Sequence, residues 1–369
     1  MKQQAERFRT THTGSLPRPP ELSDLEDAGQ VKAAVEQLVQ RQLEAGIDII
    51  NDGEAGKLSY ATYVTERLSG FGEQERPLRR RPRGFAEFPE FFTNRLPRSV
   101  ITATPACEGP VAYLGTERVA ADIQHLRSAA GDRPVFLSAA SPGVIELWMP
   151  NSFYAGTEEY VFALADAMKT EYDAIYAAGI AIQLDCPDIP GAWNNNPDLT
   201  VDEFRAEVAM RLAAIDHAIR DIPGEAVRLH ICWGNYQGPH NHDVPLGAFL
   251  DLVLKAKPHG ISFEAANPRH EHEWAVFEDV KLPDGKVLLP GVIDSTSSFI
   301  EHPELVAQRI LRFAGLVGAE NVIASSDCGF ATVAGLDLVD PKIAWAKLAT
   351  MSEGASIATK LAKTGRLAK

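Results

Sequence analysis

The feature that most constrains the fold is an eightfold alternation of short apolar runs with longer amphipathic segments. The runs are rich in β-branched residues and end in turn residues, and the segments between them have helical spacing. This alternation predicts βα units built around a parallel sheet. The predicted strands are Arg9–Ser15, Ile47–Gly53, Pro134–Ser141, Ala181–Cys186, Val227–Trp233, Gly260–Ala265, Val287–Asp294 and Val322–Cys328.

Eight such units predict a single (β/α)8 TIM barrel over residues 1–369, because this number suits a closed ring of parallel strands. No GxGxxG motif follows the first predicted strand, which argues against a dinucleotide-binding, doubly wound sheet. Residues 60–131 break the pattern, and residues 101–115 within them resemble a β-hairpin. We expect this stretch to be an insertion after strand 2 that shapes a rim or an oligomer contact.

The composition excludes several classes of function. A net charge of -14 and an isoelectric point near 5.2 argue against nucleic-acid binding, which needs a clustered basic face. No apolar stretch has the length of a signal peptide or a membrane span, so we expect a cytoplasmic protein. Four cysteines are too few for a disulfide framework in a chain of 369 residues, so each is either a buried residue that packs in the core or a functional thiolate.

Polar residues end most of the predicted strands, which is where barrel enzymes carry their catalytic groups. His230 and Cys232 are two apart on one strand, so alternation directs both side chains to the same face. Glu264 ends the next strand and Cys328 ends the eighth, so all four side chains reach one point above the barrel mouth. Two thiolates, an imidazole and a carboxylate suit zinc better than magnesium or calcium.

The HxC motif alone is a weak signal, because a buried cysteine or histidine is more often structural than functional. The combination of four strand-end ligands is what favours a metal site. Cys107 and Cys186 keep the structural interpretation, although Cys186 is close enough to the barrel mouth to line it.

Several motifs together resemble the cobalamin-independent methionine synthase family, in a short form that has only the C-terminal catalytic barrel. HxC at His230 and Cys232, the Glu264 strand end and SDCG at 326–329 are similar to the zinc-binding motifs of that family. TGSLPR at 13–18, DGE at 52–54 and LDCPD at 184–188 are similar to its substrate-site motifs. Because these anchors are spread along the sequence, the resemblance covers almost the whole chain.

The resemblance implies methyl transfer to a homocysteine-like thiol that binds near Ser15, Glu54 and Asp185. The two carboxylates suit the ammonium group of homocysteine, and the amides around Ser15 suit its carboxylate. The alternative role for Glu54 and Asp185 is strand-end capping or salt bridging. Trp148 resembles a family tryptophan that offers a face to a planar donor, with packing as its alternative role. The implied ligands of Zn²⁺ are His230, Cys232, Glu264 and Cys328.

The chain departs from the family at positions that bear on the methyl donor. Where the family has a histidine proposed to protonate the folate, this chain has Thr296. The family's acidic turn DEPA reads DCPD here, at 185–188. These departures argue against folate and leave the alkyl donor unidentified.

The mechanism that the resemblance implies begins with the thiol. A free thiol has a pKa of about 8.5, and binding to zinc removes its proton and creates the nucleophile. The sulfur then attacks an alkyl carbon while an acid protonates the departing group. Asp294, at the end of strand seven, is the first candidate for positioning or proton transfer, and His12 in strand one is the second. A structural role is the alternative for both.

Three other functions compete with methionine synthesis. An alkyltransferase resembling epoxyalkane:coenzyme M transferase would use another thiol or electrophile, and the loss of the donor-side histidine favours it. A metal-free decarboxylase of the uroporphyrinogen type shares the barrel, but the four assembled ligands argue against it. A zinc hydrolase would need a zinc-bound water and a nearby general base.

Overall fold

A curved sheet of six parallel strands forms the centre of this computed structural model, which describes residues 7–77, 83–94 and 101–364. The strands pair in chain order from β3 to β8, and a separate antiparallel pair consists of β1 and β2. The architecture is an α/β fold in which the six parallel strands curl into a half-barrel, consistent with a TIM-like barrel. The strands are β1 (Phe71–Pro77), β2 (Ala103–Cys107), β3 (Phe136–Ala140), β4 (Ala181–Asp185), β5 (Val227–Ile231), β6 (Gly260–Phe263), β7 (Val287–Ile293) and β8 (Ser325–Ser326).

The first two predicted strands form isolated bridges between β8 and β3 instead of regular strands. Thr10 pairs with Ala324 and Ile50 pairs with Val135, both in parallel orientation. The Ile49 amide donates to the Thr10 carbonyl over 3.1 Å, which links the two bridge segments to each other. Sharp turns follow both segments, because Gly14 and Gly53 have φ angles of 141° and 67°.

Helices follow the sequence pattern more closely, because buried apolar residues recur at helical spacing and capping residues mark several starts. Ser141 caps α4, and Thr200 forms a capping box with Glu203 at α7. The segment after Pro245 forms a 3₁₀ turn followed by the short α8. The helices are α1 (Ala28–Glu44), α2 (Pro89–Asn94), α3 (Thr116–Ala130), α4 (Pro142–Trp148), α5 (Thr157–Ala177), α6 (Asp188–Asn195), α7 (Val201–Ala218), α8 (Leu250–Lys255), α9 (Pro303–Val317) and α10 (Pro341–Lys363).

The stretch 60–131 contains the antiparallel pair. Strand β2 lies in the first half of the predicted hairpin at 101–115, but its partner is β1 and not the residues that follow it. A bridge between Leu68 and Tyr113 continues the pairing towards the barrel. This part of the chain therefore pairs over a longer sequence distance than a local hairpin.

A buried polar network lies inside the sheet. Arg228 on β5 is 1% exposed and donates to the side chains of Gln183 and Thr11 and to the backbone oxygen of His12, over 2.8–3.0 Å. The network ties the first bridge segment to β4 and β5. Within the described ranges, the helices are all too short or too polar to cross a bilayer.

Candidate metal centre and adjoining cavity

Three of the four predicted zinc ligands come together in the structure. His230 and Cys232 lie at the end of β5, and Cys328 follows β8. One ligand atom from each of these residues lies within 4.8 Å of the other two, and all three side chains are buried. The two sulfur atoms are 3.5 Å apart. Residues from two strands that lie three positions apart in the curved sheet thus converge at the carboxyl ends of the strands.

The His230 ring has a free coordinating nitrogen. Its Nδ1 is 3.4 Å from the Ser262 hydroxyl, whereas its buried Nε2 has no hydrogen-bond partner among the described residues. Burial and the charge of Arg228 lower the pKa of His230 to about 3, so the imidazole is neutral at physiological pH. A neutral imidazole with an unused lone pair is the form that binds a metal ion.

The thiols of Cys232 and Cys328 are close enough to share a hydrogen bond. The hydrogen bond with Cys328 and burial raise the pKa of Cys232 well above its usual range. Neighbouring thiols that resist ionisation lose their protons to a divalent cation, since metal ligation needs the thiolate. The donor set and the orphaned His230 nitrogen therefore fit a zinc ion.

Glu264 lies beside this group but outside the compact trio that the described residues form. Its Oε1 accepts from the Trp233 amide over 2.7 Å, and its Oε2 accepts from Asn267 Nδ2 over 2.8 Å. Burial and the neighbouring Cys232 raise the pKa of Glu264 well above its usual range. A cation bound at this site would stabilise the ionised form of a carboxyl group that is buried next to two thiols.

Asp327 holds the turn that follows Glu264. Its Oδ1 accepts from the amides of Ala265 and Ala266, and its Oδ2 accepts from the amide of Asn267, each over 2.8 Å. Because Asp327 precedes Cys328 in the chain, it connects the positions of two predicted ligands.

A cavity of about 570 Å³ opens over the metal-binding trio. At one end, it is lined by the predicted substrate residues Ser15, Glu54 and Asp185. Burial raises the pKa of both carboxyls, and the charge of Glu54 raises that of Asp185 further. Two acidic groups in this position favour a cationic ligand such as an ammonium ion, which would restore their ionised forms.

Backbone strain shapes this acidic end. Glu54 has a φ angle of 56°, which is rare for a residue with a side chain, and its amide donates to Asp52 Oδ1. A side chain on Gly14 would clash with Glu54 Oε1 and with Ser138 Oγ, so only glycine fits here. Ser15 contacts the loop after Cys328, because its backbone oxygen accepts from the amide of Phe330.

The other end of the cavity is aromatic. Trp148, a predicted substrate residue, lines it and donates from Nε1 to the Tyr60 hydroxyl over 3.2 Å. Phe92 and Tyr236 face the same space, with ring centroids 6.3 Å apart. Apolar contacts of this kind suit the non-reacting part of a small ligand.

Asp294 and His12 are buried but are not among the described residues that line the cavity. Asp294 Oδ1 accepts from the amide and the hydroxyl of Thr296. His12 Nε2 is 2.8 Å from Gln42 Oε1, and its Nδ1 accepts from the Gly14 amide. Their predicted catalytic roles stay predictions. In the structure, both side chains hydrogen-bond to a nearby backbone amide.

The sequence patterns missed several residues that line the cavity. Asn235 donates from Nδ2 to the Gly329 carbonyl over 2.9 Å, which joins the loops after the two cysteines. Its place three residues after Cys232 is a signal that was available in the sequence. Tyr60 and Phe92 come from the stretch 60–131, whose route back to the barrel no local pattern predicts.

Comparisons with known proteins agree with this geometry. The family described as "Cobalamin-independent synthase, Catalytic domain" matches residues 148–355, more than half of the chain. A methionine synthase of Thermococcus kodakarensis is 25% identical over 371 residues, which cover 97% of this chain and 95% of that protein. The uncharacterised protein YxjH of Bacillus subtilis is 26% identical, with 94% and 93% covered.

Solved structures show the same fold. A B12-independent methionine synthase from Shewanella sp. W3-18-1, in complex with selenomethionine, has a TM-score of 0.75 at 22% identity and covers 97% of this chain. A putative vitamin-B12 independent methionine synthase from Listeria monocytogenes has a TM-score of 0.66 at 18% identity and covers 96%. Both solved chains are matched over 99% of their length.

Proposed function

The chain belongs to the family of cobalamin-independent synthase catalytic domains, and we propose that it is a zinc-dependent methyltransferase that converts homocysteine to methionine. The observation that carries this proposal is the buried trio His230, Cys232 and Cys328, with the unused Nε2 of His230 beside two thiols. Full-length similarity to proteins named methionine synthase supports it.

We assign the metal to His230, Cys232, Glu264 and Cys328. Glu264 is the fourth ligand in this proposal because its carboxylate interacts with Cys232 at the edge of the trio. Zinc in this place would supply a positive charge that keeps the substrate sulfur as a thiolate. The protein contributes a preformed pocket, since all four residues are at most 6% exposed.

The acidic end of the cavity binds the amino-acid part of homocysteine in this proposal. Glu54 and Asp185 accept hydrogen bonds from the ammonium group, and the loop at Ser15 binds the carboxylate. Trp148, which lines the same cavity, faces the methyl donor. Asp294 and His12 hold the strand-end loops at the positions that the reaction needs.

In this proposal, the bridge segments at Thr10 and Ile50 occupy the first two strand positions of a closed (β/α)8 barrel. Residues 1–369 then form one catalytic domain in which 60–131 is an insertion after the second strand position. This arrangement brings both the acidic and the aromatic ends of the cavity to one barrel mouth.

Metal content tests the proposal directly. We expect about one zinc per chain in the purified protein and proton release when homocysteine is added, since the thiol must ionise on binding. Cys328→Ser should lose most of the metal, whereas Cys107→Ser, a buried cysteine in β2, should keep it. Equal metal content in both variants would contradict the assignment.

A second candidate is alkyl transfer to a thiol other than homocysteine, as in epoxyalkane:coenzyme M transferase-like enzymes. The residue that hydrogen-bonds to Asp294 favours this candidate, because it is Thr296 and not a histidine that could protonate the departing methyl donor. Proton release compared between homocysteine and coenzyme M separates the two. A response to coenzyme M alone would replace the first candidate by the second.

A further inference from the structure

Two ring pairs contribute to the aromatic end of the cavity, where Phe85 also packs against Phe92. Tyr60 and Trp148 are edge-to-face with centroids 6.1 Å apart, and Phe92 and Tyr236 are tilted with centroids 6.3 Å apart. All four rings line the cavity that also contains Glu54. Aromatic faces attract cations electrostatically, and the attraction is strongest where water is excluded.

Among the described residues, few groups on this wall are acidic enough to protonate a leaving group, since burial raises the pKa of the Tyr236 hydroxyl and makes it a weaker acid. Of the described residues that line the cavity, the carboxyl and imidazole groups are those of Glu54, Asp185 and His230. The proposed function assigns the first two to the substrate ammonium group and the third to the metal.

Resting on the proposed function, we infer that the methyl donor is an onium compound, a sulfonium or quaternary ammonium ion, bound against the rings of Tyr60, Trp148, Phe92 and Tyr236. The bound cation lies within the same cavity as the metal-held thiolate. The ring pairs suit a positive charge, and methyl transfer from an onium compound needs no acid.

The bonds and charges of this transfer balance without a general acid. The thiolate sulfur forms a bond to the methyl carbon, and the bond between that carbon and the onium centre breaks. The bonding electron pair stays on the onium centre, which leaves as a neutral thioether or tertiary amine. A neutral N-methyl donor would instead leave as an amine anion and would need a proton.

The low polarity of the cavity favours this type of donor further. Thiolate and onium charges neutralise each other as the methyl group moves, so the transition state carries less separated charge than the reactants. Surroundings that exclude water speed such a step, because they solvate the separated charges less well than water does.

A binding experiment separates charge from shape. Choline and its uncharged isostere 3,3-dimethylbutan-1-ol are titrated into the zinc-loaded full chain, with tryptophan fluorescence as the readout. We expect choline to bind about 3- to 30-fold more tightly, as cation–π contacts allow. Tyr236→Phe should keep this preference, and Tyr236→Leu should weaken it. Equal binding of the two compounds to the unmodified protein would overturn the inference.

A turnover experiment tests the chemistry. Zinc-loaded protein and homocysteine are incubated with trimethylsulfonium or with 5-methyltetrahydrofolate, and methionine and dimethyl sulfide are quantified. We expect equal amounts of methionine and dimethyl sulfide from the sulfonium and no methionine from the folate. Methionine from the folate alone, or from neither donor although homocysteine releases protons, would overturn the inference and leave the proposed function standing. Absence of thiol-driven proton release would contradict the proposed function itself.

Discussion

Glu54 is the residue on which selectivity for an amino-acid thiol should depend most. Its carboxyl is 3% exposed and faces the cavity beside Asp185. Glu54→Gln keeps the shape but removes the charge, so we expect KM for homocysteine to rise about 10- to 100-fold, the range for a lost charged hydrogen bond. Steady-state kinetics with homocysteine measure the change.

The control for this variant is a thiol without an ammonium group. With 3-mercaptopropionate, Glu54→Gln should bind as well as the unmodified protein or better, because a carboxylate no longer meets a substrate anion. An equal loss of affinity for both thiols would show that Glu54 has only a structural role.

Asp327 should control metal affinity without touching the metal. It accepts three backbone hydrogen bonds from the turn after Glu264, and Asp327→Asn replaces one accepting oxygen by a donor that repels those amides. We expect zinc affinity to fall about 10- to 100-fold, as for other residues that orient metal ligands. Competition with a chromogenic chelator measures this affinity.

Asp340→Asn provides the matched control, because Asp340 also accepts a backbone hydrogen bond but lies at the start of α10 on the surface. This variant should bind zinc normally. If Asp327→Asn also kept its zinc affinity, the turn after Glu264 would not need this carboxylate.

At the scale of elements, the loop after the first bridge segment depends on a glycine. Gly14 has a φ angle of 141°, and a side chain there would clash with Glu54 and Ser138. Gly14→Ala should lower the free energy of unfolding by about 1–3 kcal/mol, from strain and overpacking. It should also weaken homocysteine binding, because Glu54 must move.

Gly315→Ala is the comparison for this element. Gly315 lies within α9 and a side chain there meets no atom within 4 Å, so alanine should stabilise the protein slightly through its helix propensity. Thermal unfolding of both variants gives the contrast. Equal melting temperatures would contradict the proposed strain at Gly14.

Elements with strong local signals formed where the sequence predicted them. Helix α9 spans Pro303–Val317, because proline starts it and apolar residues recur at helical spacing. The segments at Thr10 and Ile50 make only isolated bridges, since Gly14 and Gly53 turn the chain soon afterwards. A strand pattern reports burial and alternation, but it does not report how many residues pair.

At the scale of the whole molecule, Arg228 joins distant parts of the barrel interior. Its guanidinium donates to Gln183, Thr11 and His12 and lies 3.6 Å from the ring centroid of Phe136. Arg228→Met leaves three buried acceptors without this donor, so we expect the free energy of unfolding to fall by at least about 2 kcal/mol. Urea unfolding monitored by circular dichroism measures the loss.

Arg205→Met is the surface control, because Arg205 forms a partly exposed ion pair with Asp251. Its loss should change the free energy of unfolding by less than about 1 kcal/mol. Similar losses for Arg205→Met and Arg228→Met would mean that the interior network contributes little to stability.

The metal-binding part of the site was accessible to sequence reasoning, whereas the rest of the cavity was not. Alternation along β5 places His230 and Cys232 on one face, and the eight-unit pattern places Cys328 near them. Glu264 is buried beside the trio, but its hydrogen bonds to Trp233 and Asn267 depend on the packing of two loops. Such contacts have no periodic signal.

The sequence by itself determined the α/β class, most helix positions and the meeting of a histidine with two cysteines, because these follow from periodicity and strand order. Only the tertiary structure decided that β1 pairs with β2 across the stretch 60–131 and that Tyr60 and Phe92 reach the cavity. The physical reason is that these contacts join residues far apart in sequence, and packing in three dimensions selects them.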